Sequence, residues 1–241
     1  MIGKIGKGAA LASAFVTASV MAPVLVPALG GAGTAQAETI KIPKGFLLSE
    51  PRATRSLSPV EAFEEWWEIS DKLSRPLELD PCGSKKKPRD GRVAMRTVVQ
   101  GTSGPSYFSE QLVLYRNVEA AKAALDRLRV DVKRCAKGKP PVQALVGVRH
   151  RYVGTSIRVG DEALLVKGYS YDKGWREPVG GGRYVVARRG SALILFTADD
   201  YYQVDETVKT LVGETKKMAK KVCGLPGVCE PEPITLPDQT A

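Results

Sequence analysis

Four cysteines, Cys82, Cys135, Cys223 and Cys229, are the only ones in a chain of 241 residues, and what precedes them decides how they are read. Lys4 and Lys7 open the sequence with positive charge. Residues 8–29 are apolar or small and carry no charge, and Ala35-Gln36-Ala37 follows. That is the three-part pattern of a cleavable signal peptide over residues 1–37, with the cut expected between Ala37 and Glu38. Pro23 and Pro27 break the apolar run, which suits a transient leader better than a permanent membrane helix. An exported chain meets an oxidising compartment, so an even cysteine count reads as two disulfides. Three connectivities are open. Cys82–Cys135 with Cys223–Cys229 is the expected pairing, because both bridges are local and need no special topology. A zinc site would use C-x2-4-C pairs. No such pair exists, and His150 is the only histidine.

No cysteine closes the apolar run, so a lipid anchor is not expected there. No later segment approaches the eighteen or so apolar residues of a spanning helix, so no membrane span remains after cleavage. Removing 37 residues from 241 leaves 204, enough for one hydrophobic core and one domain. The leader holds two lysines and no acid, so the net charge falls from +10 to +8. Such a chain is drawn weakly to anionic partners, and the same charge also serves solubility.

Along the chain, residues 38–57 read as an extended N-terminal arm, interrupted by Pro43, Gly45 and Pro51, with Phe46, Leu47 and Leu48 available to dock on a core. Ser58-Pro59-Val60-Glu61 is a helix start with a capping box. Val60, Phe63 and Trp67 extend it as one apolar face to about residue 69, with Trp66 beside them. Strands are expected at 92–100 and 106–116, joined by a hairpin loop. Asn117 then caps a helix whose stripe is Val118, Ala121, Leu125, Leu128, Val132 and Cys135. Strands at 149–159, 162–171, 182–188 and 191–198 follow, joined by short turns except for a glycine-rich loop at 172–181. A last helix at 204–222 carries Val204, Val208, Leu211, Thr215, Met218 and Val222 on one face. Residues 230–241 are rich in proline and acid and read as a disordered tail. The expected fold is α+β: an antiparallel sheet of about six strands, two long helices on one face and a shorter N-terminal helix, in a single domain over 58–229.

The run Leu112-Val-Leu-Tyr-Arg-Asn-Val-Glu-Ala-Ala, with a helix closing in Lys-Arg-Cys135, resembles the extracellular sensor domain of transmembrane serine/threonine kinases of high-GC Gram-positive bacteria. So do Val159-Gly-Asp-Glu162, Val186-Ala-Arg-Arg-Gly190 leading into Ala192-Leu-Ile-Leu, and the final Val222-Cys223. That domain also occurs alone in exported proteins. The resemblance spans roughly 80–223 and implies a twisted antiparallel sheet flanked by helices, two disulfides and a cleft for an unidentified ligand. It brings no catalytic residue. The present chain differs in carrying neither a kinase domain nor a spanning helix, and in the close spacing of Cys223 and Cys229.

Motifs of enzymes fit poorly. Gly101-Thr-Ser103-Gly-Pro resembles the nucleophile turn of trypsin-like proteases, but the only base, His150, follows Ser103 in the chain and sits between two arginines. Glu64 and Glu65 are adjacent and diverge on a helix, so they do not face each other as a glycosidase pair would. Lys85-Lys86-Lys87 has no interleaved aromatics for single strands, so no specific nucleic acid is expected. Gly180-Gly181-Gly182 lacks the lysine and hydroxyl of a phosphate loop. The sequence therefore points to a secreted, extracellular, non-catalytic domain without cofactor or metal. It would bind a small molecule or a cell-envelope polymer, in a groove formed by Tyr169, Tyr171 and Trp175 on the sheet face away from the helices. A secreted hydrolase and a cationic protein held on anionic wall polymers are the alternatives.

Overall fold

A computed structural model describes residues 41–83, 89–104, 106–136, 149–172, 174, 176–199 and 205–229. The expectations for Ala37 and Glu38, Lys85–Lys87, Trp175, Val204 and the tail lie outside the described residues. The elements are α1 (Glu50–Ala53), α2 (Pro59–Glu64), β1 (Glu65–Ser70), β2 (Arg92–Thr102), β3 (Tyr107–Tyr115), α3 (Val118–Arg134), β4 (Arg149–Ile157), β5 (Glu162–Tyr171), β6 (Gly182–Arg189), β7 (Ala192–Asp199) and α4 (Asp205–Lys221). A single 3-10 turn, Val222–Gly224, follows α4. The strands form one antiparallel sheet in the order β1-β2-β3-β7-β6-β5-β4.

The seventh strand corrects the sequence reading. Ser58 does cap α2, accepting from the Glu61 N–H while the Glu61 carboxylate accepts from the Ser58 N–H. The helix ends at Glu64, however, and Glu65-Trp66-Trp67-Glu68-Ile69-Ser70 pairs with β2 as an edge strand. The reason is local. Burial alternates along the segment, with Trp66 and Glu68 exposed between less exposed neighbours, and tryptophan and isoleucine favour a pleated, half-buried surface. Trp67 and Ile69 turn inward against a core cluster, whereas Trp66 is 50% exposed.

The long helices lie on opposite faces of the sheet, not on one. On β3 and β7, Val113, Tyr115, Leu193 and Leu195 pack with Ala121, Leu125, Leu128 and Val132 of α3. Their neighbours Leu112, Leu114, Ile194 and Phe196 pack with Leu211 and Met218 of α4 and with Val222 of the turn that follows it. Both strands are apolar at nearly every position, the signature of a strand covered on both sides. Seven strands at ~4.8 Å spacing span ~29 Å, and a helix with its side chains covers only ~10–12 Å. Each face therefore needs more than its helix.

Extra cover comes from two irregular segments. On the α3 face, residues 71–82 bring Leu77 and Leu79 into the core and end in Cys82, which is joined to Cys135 just beyond α3. On the α4 face, the arm expected to be extended folds into α1 and buries Leu47 completely. Its anchor is Glu50, which accepts from the Leu47 N–H at 2.9 Å and from Arg96 Nε at 2.5 Å. Glu110 of β3 accepts from the N–H groups of Leu48 and Ser49 at 2.9 and 2.7 Å. Cys223 and Cys229 are joined across the loop after α4.

Candidate functional site

At the end of the sheet where β2, β3 and β7 meet the first turn of α4, a cleft of about 310 Å³ opens. Gln100, Thr102, Phe108 and Ala198 line it from the strands and Thr207 from the helix. Strand alternation aims Gln100, Phe108 and Ala198 at the α4 side, since the three are cross-strand partners in one row. Phe108 supplies an apolar wall and is held by a tilted contact with Phe196, centroids 6.2 Å apart. Gln100 is oriented by its own bond, Nε2 donating to Glu65 at 2.7 Å. Tyr107 and Asp199, paired across β3 and β7, form the lip. Burial and the neighbouring Glu78 carboxylate push the Tyr107 phenol up, so it stays protonated and donates to Glu78 at 2.5 Å. An apolar wall with a few fixed polar groups is the chemistry of a small-molecule pocket.

A second depression of about 340 Å³ lies beside it, sharing Thr102 and bordered by Glu61, Glu64, Glu65 and Ser103. Glu64 and Glu65 were expected to diverge on a helix. They straddle the helix–strand boundary instead, so both border this hollow. They do not act as a catalytic pair, because Glu65 is engaged by Arg55 at 2.7 Å and by Gln100. The bond from Arg55 holds the Glu65 carboxyl below its usual range. Ser103 donates its backbone N–H to Glu64 at 2.8 Å. It lies at the end of β2, five strand steps from His150 on β4, or ~24 Å, so the two form no catalytic pair.

His150 faces Ser170 across β4 and β5, with Nδ1 and Oγ 3.3 Å apart. Its buried Nε2 has no partner, so no acid orients the ring as hydrolytic chemistry requires. Burial lowers the His150 pKa and keeps the ring neutral. Among the described residues, no group of three or more His, Cys, Asp or Glu side chains is placed to hold a metal ion.

The expected groove needs correction, because the sheet has no face away from the helices. Tyr169 and Tyr171 are half-buried on the α4 side of β5. The Arg183 guanidinium lies 5.2 Å from the Tyr169 ring centre and donates to the Gly168 carbonyl at 2.9 Å. The two rings are thus placed on one strand, on the same face as the cleft under α4 but outside it.

Two of the motifs singled out in the sequence, Val159–Glu162 and Val186–Gly190, form a lock between turns. Asp161 accepts from Arg188, from Arg189 and from the Gly190 N–H at 3.0, 2.7 and 2.8 Å. Burial alone would raise its carboxyl, but these donors outweigh it and hold it below the usual range. Glu162 reaches both Arg188 and Arg129 of α3. The cluster fastens the β4–β5 turn to the β6–β7 turn and both to α3. Its charges face one another and not a cleft.

Sequence reasoning missed Gln100, Phe108 and Thr207, which share no motif and come together only through the β2–β3 and β3–β7 pairings and the docking of α4. No protein-family model matches the chain, and no curated protein matches its sequence. Among solved structures, it is similar to the extracellular domain of PknH from Mycobacterium tuberculosis, with a TM-score of 0.49 and 11% identity, over 75% of this chain and 97% of that one. It is also similar to an uncharacterised protein of Mycobacterium smegmatis, the Rv0999 ortholog, with a TM-score of 0.34 and 11% identity, over 65% and 88% of the two chains.

Proposed function

We propose that this chain is an exported, extracellular, non-catalytic sensor-like domain that holds a small molecule or cell-envelope component in the cleft under α4. The observation that carries this reading is the cleft itself, where Phe108 supplies an apolar wall and Gln100, Thr102 and Thr207 converge around it. The charged clusters that would otherwise suggest chemistry, Asp161 with Arg188 and Glu50 with Arg96, are spent on one another. Export is supported by the signal-like leader and by two disulfides within the described residues. No helix among the described residues is long and apolar enough to cross a membrane.

Native mass spectrometry of protein recovered from culture medium tests the reading. The mature mass should begin at Glu38, accompanied by a bound species. Thr207→Phe, on the half-buried first turn of α4, fills the cleft and should abolish the adduct at an unchanged melting temperature. A bound mass equally retained in that variant would place the ligand elsewhere.

A further inference from the structure

The two tryptophans of β1 have separate fates, and the outward one is the more informative. Trp66 is the only aromatic side chain among the large apolar residues exposed to solvent in the described part of the chain. It is not loosely exposed. Its cross-strand partner is Gly101, and a Cβ at position 101 would fall inside the indole. The glycine lets the indole close over the sheet backbone, and half of the ring's surface stays in solvent.

A chain of polar groups borders that ring. Glu68, two residues along β1 and on the same face, is 51% exposed and accepts from Arg75 at 2.7 Å. Arg75 also donates to Glu78 at 3.1 Å, and Glu78 accepts from Tyr107, which pairs with Gly101 from the other side. By strand geometry, Glu68 lies ~7 Å along the strand from Trp66, and Tyr107 lies ~10 Å across the sheet. The guanidinium is thus held by two carboxylates at a fixed place beside an aromatic plane.

We propose that Trp66 and the Glu68–Arg75 pair form a binding subsite for a saccharide. A pyranose offers an apolar face of C–H groups for the indole and a rim of hydroxyls for carboxylate acceptors and guanidinium donors. The surroundings disfavour other classes. Glu68 and Arg75 lie beside Trp66 on the same face, so a lipid tail would find no continuous apolar patch. Their charges offset one another, so the pair suits the hydroxyls of a neutral sugar better than a charged polymer. This subsite deepens the reading of the chain as a binder of envelope components by naming the class, but it lies on the α3 face, apart from the cleft under α4.

Chitotriose, maltotriose and mannotriose, titrated against the full chain by tryptophan fluorescence and saturation-transfer NMR, test the subsite. At least one trisaccharide should bind. Trp66→Ala should raise its Kd about tenfold, as loss of a stacked ring implies, with no fall in melting temperature. Gly101→Ala, which pushes the ring off the sheet while keeping it in the protein, should weaken binding of the same trisaccharide. Thr207→Phe should leave trisaccharide binding intact. If the wild-type chain binds none of the three, or if Trp66→Ala binds as tightly as wild type, the subsite is wrong; neither result bears on an adduct held in the cleft.

Discussion

The two faces of this sheet solve one problem by different physics. Each helix is too narrow for seven strands, and each face recruits an irregular segment to finish the cover. On the α3 face, residues 71–82 are tied by the covalent Cys82–Cys135 bond. On the α4 face, the arm around α1 is tied by buried charge: Glu50 and Arg96 are 2% and 5% exposed, and Glu110 is 1% exposed. A covalent seal is indifferent to pH and vulnerable to reduction, whereas a seal of buried ion pairs has the opposite sensitivities. Removing one partner of such a pair costs more than the pair contributes, because the other charge is left buried.

Three substitutions and one titration test this contrast. Cys135→Ser opens a loop that closes over a sequence separation of 53. In the loop-entropy model it should cost roughly 4 kcal/mol, an upper guide. Reductant should then lower the melting temperature of the wild type more than that of the variant, which has only the Cys223–Cys229 bridge left to lose. Arg96→Ala leaves Glu50 buried without its cation and should cost about 3 kcal/mol. Hydrogen exchange should show the loss first at Leu47 and Ser49, with Leu79 still protected. Equal loss of protection at Leu79 would mean the faces are not separately sealed. Cys229→Ser, whose bridge spans a separation of 6, should cost roughly 2 kcal/mol. A larger fall than for Cys135→Ser would reverse the ranking of the two staples.

The smallest effect is a change of slope with pH. Burial raises the Glu110 carboxyl above its usual range, only partly offset by the bonds from Ser49 and Leu48. The folded state thus holds this proton more tightly than the unfolded state. The contribution is full at acid pH and is lost as pH rises through the folded pKa. Glu50 behaves oppositely. Burial would raise it, but the hydrogen bonds from Arg96 and from the backbone outweigh that and lower it. Its contribution is present at neutral pH and is lost as pH falls. The stability advantage of wild type over Glu110→Gln should therefore shrink as pH rises from below the usual carboxylate range towards neutrality. A gap that grows over that window would refute the assignment.

Much of this architecture can be read in the sequence. Ala121, Leu125, Leu128 and Val132 announce α3, and Asn117 caps it, its Oδ1 accepting from the Ala120 N–H at 2.9 Å. The strands β4 to β7 and their turns fall close to where alternation and glycine place them. The tryptophan pair does not read cleanly, because Phe63 and Trp67 fit a helical spacing while Glu65, Trp67 and Ile69 fit a strand equally well. The two-sided sheet was visible in the unbroken apolar runs Leu112–Tyr115 and Ala192–Phe196, a stronger signal than the one-sided helices suggested. The seal at Glu50, Arg96 and Glu110 has no local signature, because its members are 14 to 60 residues apart and become partners only in the folded sheet. The cleft is illegible for the same reason.

The strand order has a consequence for time as well as for shape. Five of the six ladders join strands that follow one another in the chain, giving two meanders, β1-β2-β3 and β4-β5-β6-β7. Only β3 and β7 meet across the middle, with partners from Leu114–Ala192, 78 residues apart, to Tyr107–Asp199, 92 apart. Neither disulfide crosses that seam. Loop-closure entropy sets the late step in folding at the most remote contacts, so the centre of the sheet is expected to zip last. Until it does, two of the most apolar strands each present a bare edge, and a neighbouring copy is as good a partner as the right one. The interval before the seam closes is therefore the chain's most exposed moment.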